Sequence, residues 1–256
     1  GTLQEPGWPL YNFCVVVDDA DMRISHIIRG VEHLSNSAKQ VLLYEALGYP
    51  IPQFTHLPLI MKGGKKMSKR DADAEPRFPV SVSARRDLGY MPVPMANFLA
   101  LLGWSHPSGE EIFPLEELIE NFSLDRLTKA NANFDEDKFL HINAWYIRNL
   151  SKKTIVERVL PFLEEAGLSR TDRDEEWLTG IIELVIERMR LLGDFPDALE
   201  YFFRPPKAYD SKGVKKAFKG EGVPERLREV AEVLGRVEPF DREPMEEALR
   251  AYSESK

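Results

Sequence analysis

The chain has 256 residues, which is enough for one or two domains with a substantial buried core. Its net charge of −8 excludes a protein that coats nucleic acid indiscriminately, because such binding depends on an excess of lysine and arginine. The single cysteine, Cys14, excludes a disulfide framework and a cysteine-based zinc site, and no apolar run is long enough to span a bilayer, so a cytoplasmic location without a membrane partner is expected.

The first predicted elements are a strand, a helix and a second strand. Residues 13–17 form an apolar, β-branched run typical of a buried parallel strand, and Asp18 and Asp19 follow it. A helix is predicted over residues 39–47, capped by Ser35 or Ser37 and closed by Gly48, and residues 54–60 are predicted to form the next strand.

A basic segment follows the second predicted strand. Residues 66–70 are Lys-Met-Ser-Lys-Arg, just after the pair Gly63 and Gly64. Such a loop can surround phosphate oxygens and stabilise the charge that develops on a departing pyrophosphate. The alternative is a solvated basic surface loop.

The rest of the chain is predicted to be mainly helical. Between residues 71 and 150, helices are expected to begin at Pro94, Glu116 and Asp135. After Ser151, an all-α bundle is expected, with helices over residues 152–166, 174–192, 224–234 and 244–252. Gly167 and Gly193 are predicted to close the first two, and Pro161 to kink or split the first.

The order of these segments resembles bacterial glutamyl-tRNA synthetase. The matching stretches include residues 11–19, 24–30, 32–37, 39–48 and 66–70, with further matches at residues 99–105, 111–113, 134–135 and 143–148. The resemblance is dense to about residue 150 and covers most of the chain. The related glutaminyl enzyme is disfavoured, because its anticodon region resembles β-barrels and this chain stays helical.

The resemblance implies a multidomain fold that combines α/β and all-α parts. Residues 1–61 would close a Rossmann-like catalytic domain, residues 62–150 would hold a KMSKR-type loop and a stem-contact region, and residues 151–256 would form an incomplete helical anticodon-binding domain. The N-terminal catalytic half, with its His-x-Gly-His element, is expected to be missing. The fragment alone is therefore expected not to form glutamyl-adenylate.

The resemblance also implies the reaction and its participants. The parent enzyme would activate glutamate with ATP, accompanied by Mg²⁺, and transfer it to the 3′ end of tRNA-Glu. The resemblance assigns Lys69 and Lys66 catalytic roles, and it assigns ATP binding to these two lysines together with Ile60, Ser68 and Arg70. No dedicated metal cluster is expected in the protein itself.

Glutamate and tRNA contacts complete the implied site. Tyr11 and Arg29 would bind glutamate, with Arg29 pairing with the substrate carboxylate. The alternatives are a core tyrosine and a structural ion pair. Arg188 would read an anticodon base, or would belong to a solvated helix face. Basic residues between positions 204 and 219 fit a surface that contacts the tRNA backbone, or a face that serves solubility. A second functional hypothesis is a stand-alone, non-catalytic tRNA-binding module.

Overall fold

The structure is a computed structural model that describes residues 7–67, 79–168, 174–206, 208–220 and 222–255. The chain divides into two compact units, Gly1–Phe203 and Arg204–Lys256. The division at residues 61 and 150 that the sequence suggests stays a prediction. Within the described ranges, no helix combines the length and the apolar character that crossing a membrane requires.

The first element is a helix where a strand was expected. Helix α1 spans Tyr11–Asp21 and contains the whole apolar run of residues 13–17. The strand prediction is wrong, because so short an apolar run fits a helix and a strand equally well. Val16 is the single buried residue of α1, whereas a central parallel strand would be covered on both faces.

The strand–helix–strand unit begins further along the chain. Strand β1 (His26–Gly30) pairs in parallel with β2 (Gln53–Leu57), and helix α2 (Leu34–Leu47) connects them after a short 3-10 turn. Helix α2 begins at Leu34, so Ser35 and Ser37 lie inside it. It has no side-chain cap, and the predicted cap is therefore wrong. Gly48 closes it as predicted, with φ of 70°.

A second, three-stranded sheet follows. The predicted strand over residues 54–60 is interrupted, since β2 ends before Pro58 and β3 (Ile60–Lys62) begins after it. Strand β3 pairs with β4 (Lys65–Lys66) in an antiparallel hairpin and with β5 (Ala132–Asn133) in parallel. The hairpin turn is Gly63 and Gly64, whose φ values of 58° and 77° suit glycine.

The remaining described elements are helices. In the first unit they are α3 (Val82–Asp87), α4 (Pro92–Leu101), α5 (Leu115–Asn121), α6 (Glu136–Asn149), α7 (Lys152–Glu165), α8 (Glu175–Val185) and α9 (Phe195–Phe203). In the second unit they are α10 (Ser211–Ala217), α11 (Val223–Leu234) and α12 (Arg242–Glu254). The mainly helical character predicted after residue 71 is confirmed.

Two details of these helices differ from the sequence-based expectation. Helix α8 ends at Val185 and is followed by 3-10 turns at Ile186–Arg188 and Leu192–Asp194, so the continuous helix predicted to residue 192 is wrong. Helix α7 continues through Pro161 and is not split. Pro161 is exposed, so water can reach the carbonyl that its missing N–H leaves unpaired.

The Asp135 cap of α6 is confirmed, since its carboxylate accepts from the Lys138 N–H.

The described residues of the first unit form two hydrophobic clusters. One joins Met91 and Ile147 to a set of buried side chains from α7, α8 and α9, among them Ile155, Val159, Ile182, Val185 and Leu199. The other is rich in aromatic rings, with Tyr90, Phe98, Phe134 and Phe139. The buried Arg85 guanidinium lies about 5 Å from three of those rings and pairs with Glu136.

Two segments of this unit meet through glycines. Gly89 has φ of 94°, and a Cβ atom there would lie 2.4 Å from the Gly193 nitrogen. A Cβ atom on Gly193 would lie 2.7 Å from the Leu88 carbonyl oxygen. The Leu192 N–H donates to the Gly89 carbonyl at 3.1 Å, so only glycine permits this approach of the two backbones.

Asn143 bridges the same two segments. It is fully buried on α6, where its amide group donates to the Arg190 carbonyl at 2.6 Å and its Oδ1 accepts from the Met91 N–H at 3.0 Å. Asn143→Ala is expected to lower the free energy of unfolding by about 2–3 kcal/mol, because it removes the hydrogen-bond partner of the buried Met91 N–H and of the Arg190 carbonyl.

Urea unfolding measures this change. Asn149→Ala is the matched control on the same helix, since the exposed Asn149 amide bonds only to the Trp145 carbonyl of its own turn. It should shift stability by less than about 0.5 kcal/mol. Equal effects at the two positions would contradict the bridging role of Asn143.

Candidate functional site

The Arg29 side chain is the centre of a polar network between β1, α1, α2 and β2. Its Nη2 atom donates to Ser37 Oγ at 2.5 Å and to Gln40 Oε1 at 2.7 Å. The guanidinium lies over the Phe54 ring, 5.4 Å from its centroid. Among the described residues no carboxylate pairs with Arg29, so the cation is held by neutral acceptors and an aromatic face.

The fold explains why these groups converge. Arg29 is the penultimate residue of β1, and Ser37 and Gln40 lie three positions apart on the face of α2 that packs over the sheet. Gln40 is 1% exposed, and its amide group donates to Asn12 Oδ1 at 2.9 Å, which connects α1 to the network. Ser37 Oγ also lies 2.9 Å from His56 Nε2 on β2.

His56 adds no positive charge to that of Arg29. Burial lowers the pKa of His56, and the nearby charges of Arg29 and His33 lower it further. His56 is therefore neutral at pH 7 and can share a hydrogen bond with Ser37 Oγ. The network thus presents one permanent cation, which suits it to an anionic ligand.

The lowered pKa of His56 predicts a pH dependence of stability. In the unfolded state His56 has its ordinary pKa near 6.5, so it is protonated at a higher pH than in the folded state. The free energy of unfolding should therefore fall as pH drops below about 6.5. His56→Gln should flatten this slope, since glutamine can still bond to Ser37 but does not titrate.

Denaturant unfolding between about pH 5 and 7 measures the slope. His141→Gln, at an exposed position on α6, serves as the control and should leave the slope unchanged. An unaltered slope in His56→Gln would contradict the assignment.

Two aspartates and a tyrosine lie beside the network. Tyr44 OH donates to Asp19 Oδ2 at 3.4 Å, and burial followed by the Asp19 charge raises the pKa of Tyr44 to about 12. Asp19 is thus occupied within the fold, while Asp18 is exposed. Tyr11 begins α1 and is 54% exposed, so it is not a core tyrosine. It neighbours Asn12 of the network in sequence.

Lys66 is held close to the end of β1 by an acidic side chain. Its Nζ lies 2.9 Å from Glu32 Oε1, and a Cβ atom on Gly30 would lie 2.2 Å from Glu32 Oε2. A backbone hydrogen bond, and then the hydrogen bond from Lys66, lowers the pKa of Glu32. The Glu32 carboxylate therefore lies over Gly30 and connects Lys66 to the residue that follows Arg29.

The other residues assigned to phosphate binding divide into described and undescribed positions. Ile60 opens β3, and its carbonyl accepts from the Met67 N–H at 2.9 Å, so Ile60 and Lys66 lie on adjacent strands. Ser68, Lys69 and Arg70 lie outside the described residues.

Arg188 stands apart from this group. It ends the 3-10 turn Ile186–Arg188 and is exposed, whereas the next residue, Met189, is buried and anchors the turn. The structure gives no contact between Arg188 and the Arg29 network. The structure therefore places Ile60 and Lys66 on adjacent strands and connects Lys66, through Glu32, to Gly30 beside Arg29.

Several residues in or beside the network were not identified as site residues from the sequence. These residues are Asn12, Glu32, Gln40 and His56, together with Ser37, which was expected only to cap a helix. Ser37 and Gln40 lie on the buried face of α2, together with Tyr44. The other partners come from separate elements.

Two family profiles match the chain. The one described as tRNA synthetases class I (E and Q), catalytic domain, matches residues 3–141. The one described as an anticodon binding domain matches residues 154–256. Together they account for the sheets, the Arg29 network and the helices that follow.

Curated relatives and solved structures agree with those profiles. A glutamate–tRNA ligase from Caldanaerobacter subterraneus is 42% identical over 253 residues, covering 98% of this chain and 51% of the relative. A glutamate–tRNA ligase from Moorella thermoacetica is 41% identical with the same coverage. A crystal structure of a glutamate tRNA ligase from Elizabethkingia meningosepticum, in complex with its amino acid, superposes with a TM-score of 0.86 at 33% identity, covering 99% of this chain and 52% of that one. The chain spans about half the length of the curated relatives it matches.

Proposed function

We propose that this chain, which belongs to the family of class I tRNA synthetases of the E and Q type, carries part of the active site and the anticodon-binding region of a glutamate–tRNA ligase. The relatives named glutamate–tRNA ligase support glutamate over glutamine as the amino acid. The helical distal region supports the same choice. The comparisons lend no support to a non-catalytic tRNA-binding module.

The proposed reaction has two steps. A carboxylate oxygen of glutamate attacks the α-phosphorus of ATP and releases pyrophosphate, which gives glutamyl-adenylate. A ribose hydroxyl at the 3′ end of tRNA-Glu then attacks the acyl carbon and releases AMP. These steps depend on positioning and on charge stabilisation, so no residue of this chain is assigned as a nucleophile.

The observation that carries the proposal is the Arg29 cation held by neutral partners. An arginine that bonds to Ser37 and Gln40, with no carboxylate partner in the described part of the chain, keeps its full charge for a substrate. Arg29 would hold the glutamate carboxylate that does not react, since a guanidinium matches a carboxylate in shape and charge. Tyr11, exposed beside the network, would contribute its hydroxyl to the same substrate.

The second sheet and the basic segment that follows it would bind the phosphate groups of ATP. Lys66 would leave Glu32 and turn to the phosphates, in company with Ser68, Lys69 and Arg70, and the backbone of Ile60 would meet the adenine. Mg²⁺ would enter with ATP, because it binds phosphate oxygens and water more readily than a protein cage.

The tRNA contacts are proposed on the helical part of the chain. Arg188, exposed on its turn, would reach an anticodon base with the two donors of its guanidinium. The three-part division into catalytic, stem-contact and anticodon-binding regions is part of the same proposal, as is a cytoplasmic location.

Amino-acid-dependent exchange of pyrophosphate into ATP tests the proposal in the protein that carries the complete catalytic domain. Exchange should require glutamate and, in the second step, tRNA-Glu should accept the amino acid. Exchange that responds to glutamine and not to glutamate would overturn the assignment.

A further inference from the structure

A histidine and two glutamates converge away from the Arg29 network. His106, Glu110 and Glu117 each place one ligand atom so that all three lie within 4.8 Å of one another. His106 and Glu110 belong to the segment between α4 and α5, and Glu117 lies in the first turns of α5. We infer that these three side chains bind a divalent transition-metal ion of the zinc type.

The buried imidazole is the strongest indication. The His106 side chain is only 4% exposed, yet its Nε2 atom has no hydrogen-bond partner. Glu117 Oε1 lies 3.3 Å from Nε2, which is within ion-pair distance but does not form a hydrogen bond. A nitrogen and an oxygen that each lie about 2.0–2.2 Å from a tetrahedral zinc ion are themselves about 3.3–3.5 Å apart, so the observed separation fits a shared metal.

Ring packing aims the imidazole at the carboxylates. The His106 ring stacks on Phe113 with centroids 4.9 Å apart, and the Trp104 ring meets its edge at 5.7 Å. These contacts leave the imidazole little freedom to rotate, so Nε2 points to the place where Glu117 lies. A preset ligand of this kind lowers the ordering cost of binding a metal.

Ser108 supports two of the ligands at once. Its Oγ lies 2.7 Å from His106 Nδ1 and accepts from the Glu110 N–H at 3.2 Å. With a metal on Nε2, Nδ1 carries the ring proton and donates it to Ser108 Oγ, the supporting bond that metal-bound histidines commonly make. Without a metal, the Ser108 N–H, 3.2 Å from Nδ1, favours the opposite tautomer.

The charge balance and the ligand types favour zinc over magnesium. Two carboxylates and a neutral imidazole compensate a divalent cation, and imidazole suits zinc far better than magnesium. The neighbouring Glu111 is already paired with Lys138, so it does not compete with Glu110 and Glu117 for the metal ion. Arg126 is the nearby cation, and it donates to the carbonyls of Ser105 and His106 on the backbone side of the turn. A water molecule would complete four-coordination.

Zinc titration of the full chain, without an affinity tag and stripped of metal, tests the inference. One Zn²⁺ per chain should bind, measured by calorimetry and by metal analysis after dialysis, and the unfolding temperature should rise with zinc concentration. Glu110→Gln should weaken binding more than about 100-fold, beyond the about 10–100-fold expected for Ser108→Ala. Glu120→Gln, an exposed glutamate on the same helix as Glu117, should bind as the unaltered chain does.

Loss of zinc binding in Glu110→Gln cannot be due to misfolding, because Glu110 is exposed and its substitution removes no packing. Long-range ¹H–¹⁵N NMR supplies a second readout, in which zinc should move the His106 ring proton from Nε2 to Nδ1. The inference is overturned if the chain binds no zinc at submillimolar concentration. It is also overturned if Glu110→Gln binds zinc as tightly as the unaltered chain, since the ion would then lie elsewhere.

Discussion

Arg29→Ala should lower kcat/KM for glutamate about 10³-fold in pyrophosphate exchange, in the protein with the complete catalytic domain. The loss should come mainly from a higher KM for glutamate, because a contact to the non-reacting carboxylate is made equally in the ground state and the transition state. The KM for ATP should change little. Steady-state exchange at varied glutamate measures both constants.

Arg29→Lys separates charge from shape. A lysine keeps the positive charge but has only three N–H donors. If two of them bond to Ser37 and Gln40, one is left for the substrate carboxylate, so only part of the glutamate affinity should return. Arg23→Ala is the control, since Arg23 is exposed outside the network. Thermal unfolding of each variant shows whether the network still folds. A normal KM for glutamate in a folded Arg29→Ala protein would remove Arg29 from the substrate site.

Lys69→Ala should lower the rate of adenylate formation about 10²–10³-fold, or about 3–4 kcal/mol, with little change in glutamate affinity. The prediction comes from the sequence motif of residues 66–70 and from the charge that pyrophosphate gains as it departs. An ammonium that meets this charge mainly in the transition state contributes to rate rather than to binding. Single-turnover measurements at saturating ATP give the rate directly.

Two variants sharpen the Lys69 experiment. Lys69→Arg should rescue only in part, because a planar guanidinium does not reproduce a compact ammonium on a flexible stem. Lys65→Ala removes an exposed lysine of β4 from the same basic segment and should leave the rate unchanged. If Lys69 were only a surface charge, its removal would leave single-turnover kinetics intact and alter at most the salt dependence of tRNA binding.

Features that depend on neighbouring residues in the chain were predictable from sequence. Gly48 closes α2 and Asp135 caps α6 as expected, because both act through backbone conformation or a hydrogen bond within one turn. The strand expected at residues 13–17 failed for a related reason, since a short apolar run carries no decisive period. The first strand of the structure, His26–Gly30, was not predicted, because its histidine, arginine and glycine interrupt the apolar pattern typical of a strand.

The candidate site shows the same limit. Arg29 and Lys66 were identified from motif order, yet the groups that hold Arg29 come from two other elements, α2 and β2, up to 25 positions away in sequence. Ser37 was expected to cap a helix, but its hydroxyl is used by Arg29 and His56 across the fold. Such a tertiary role has no local signature, so only the structure reveals it.

The buried bridge of Asn143 and the contact of Gly89 with Gly193 limit how this protein can change by recombination. Met91 and Ile147 share one core with α7, α8 and α9, so an exchange of everything after residue 150 would join two halves of unrelated cores. It would also require one parent to supply Gly89 and Asn143 and the other to supply Gly193 and a backbone that brings the carbonyl of residue 190 to Asn143. The stretch from Gly89 to Leu199 should therefore be inherited as a block, and crossovers should be tolerated better after Phe203, where the first unit ends.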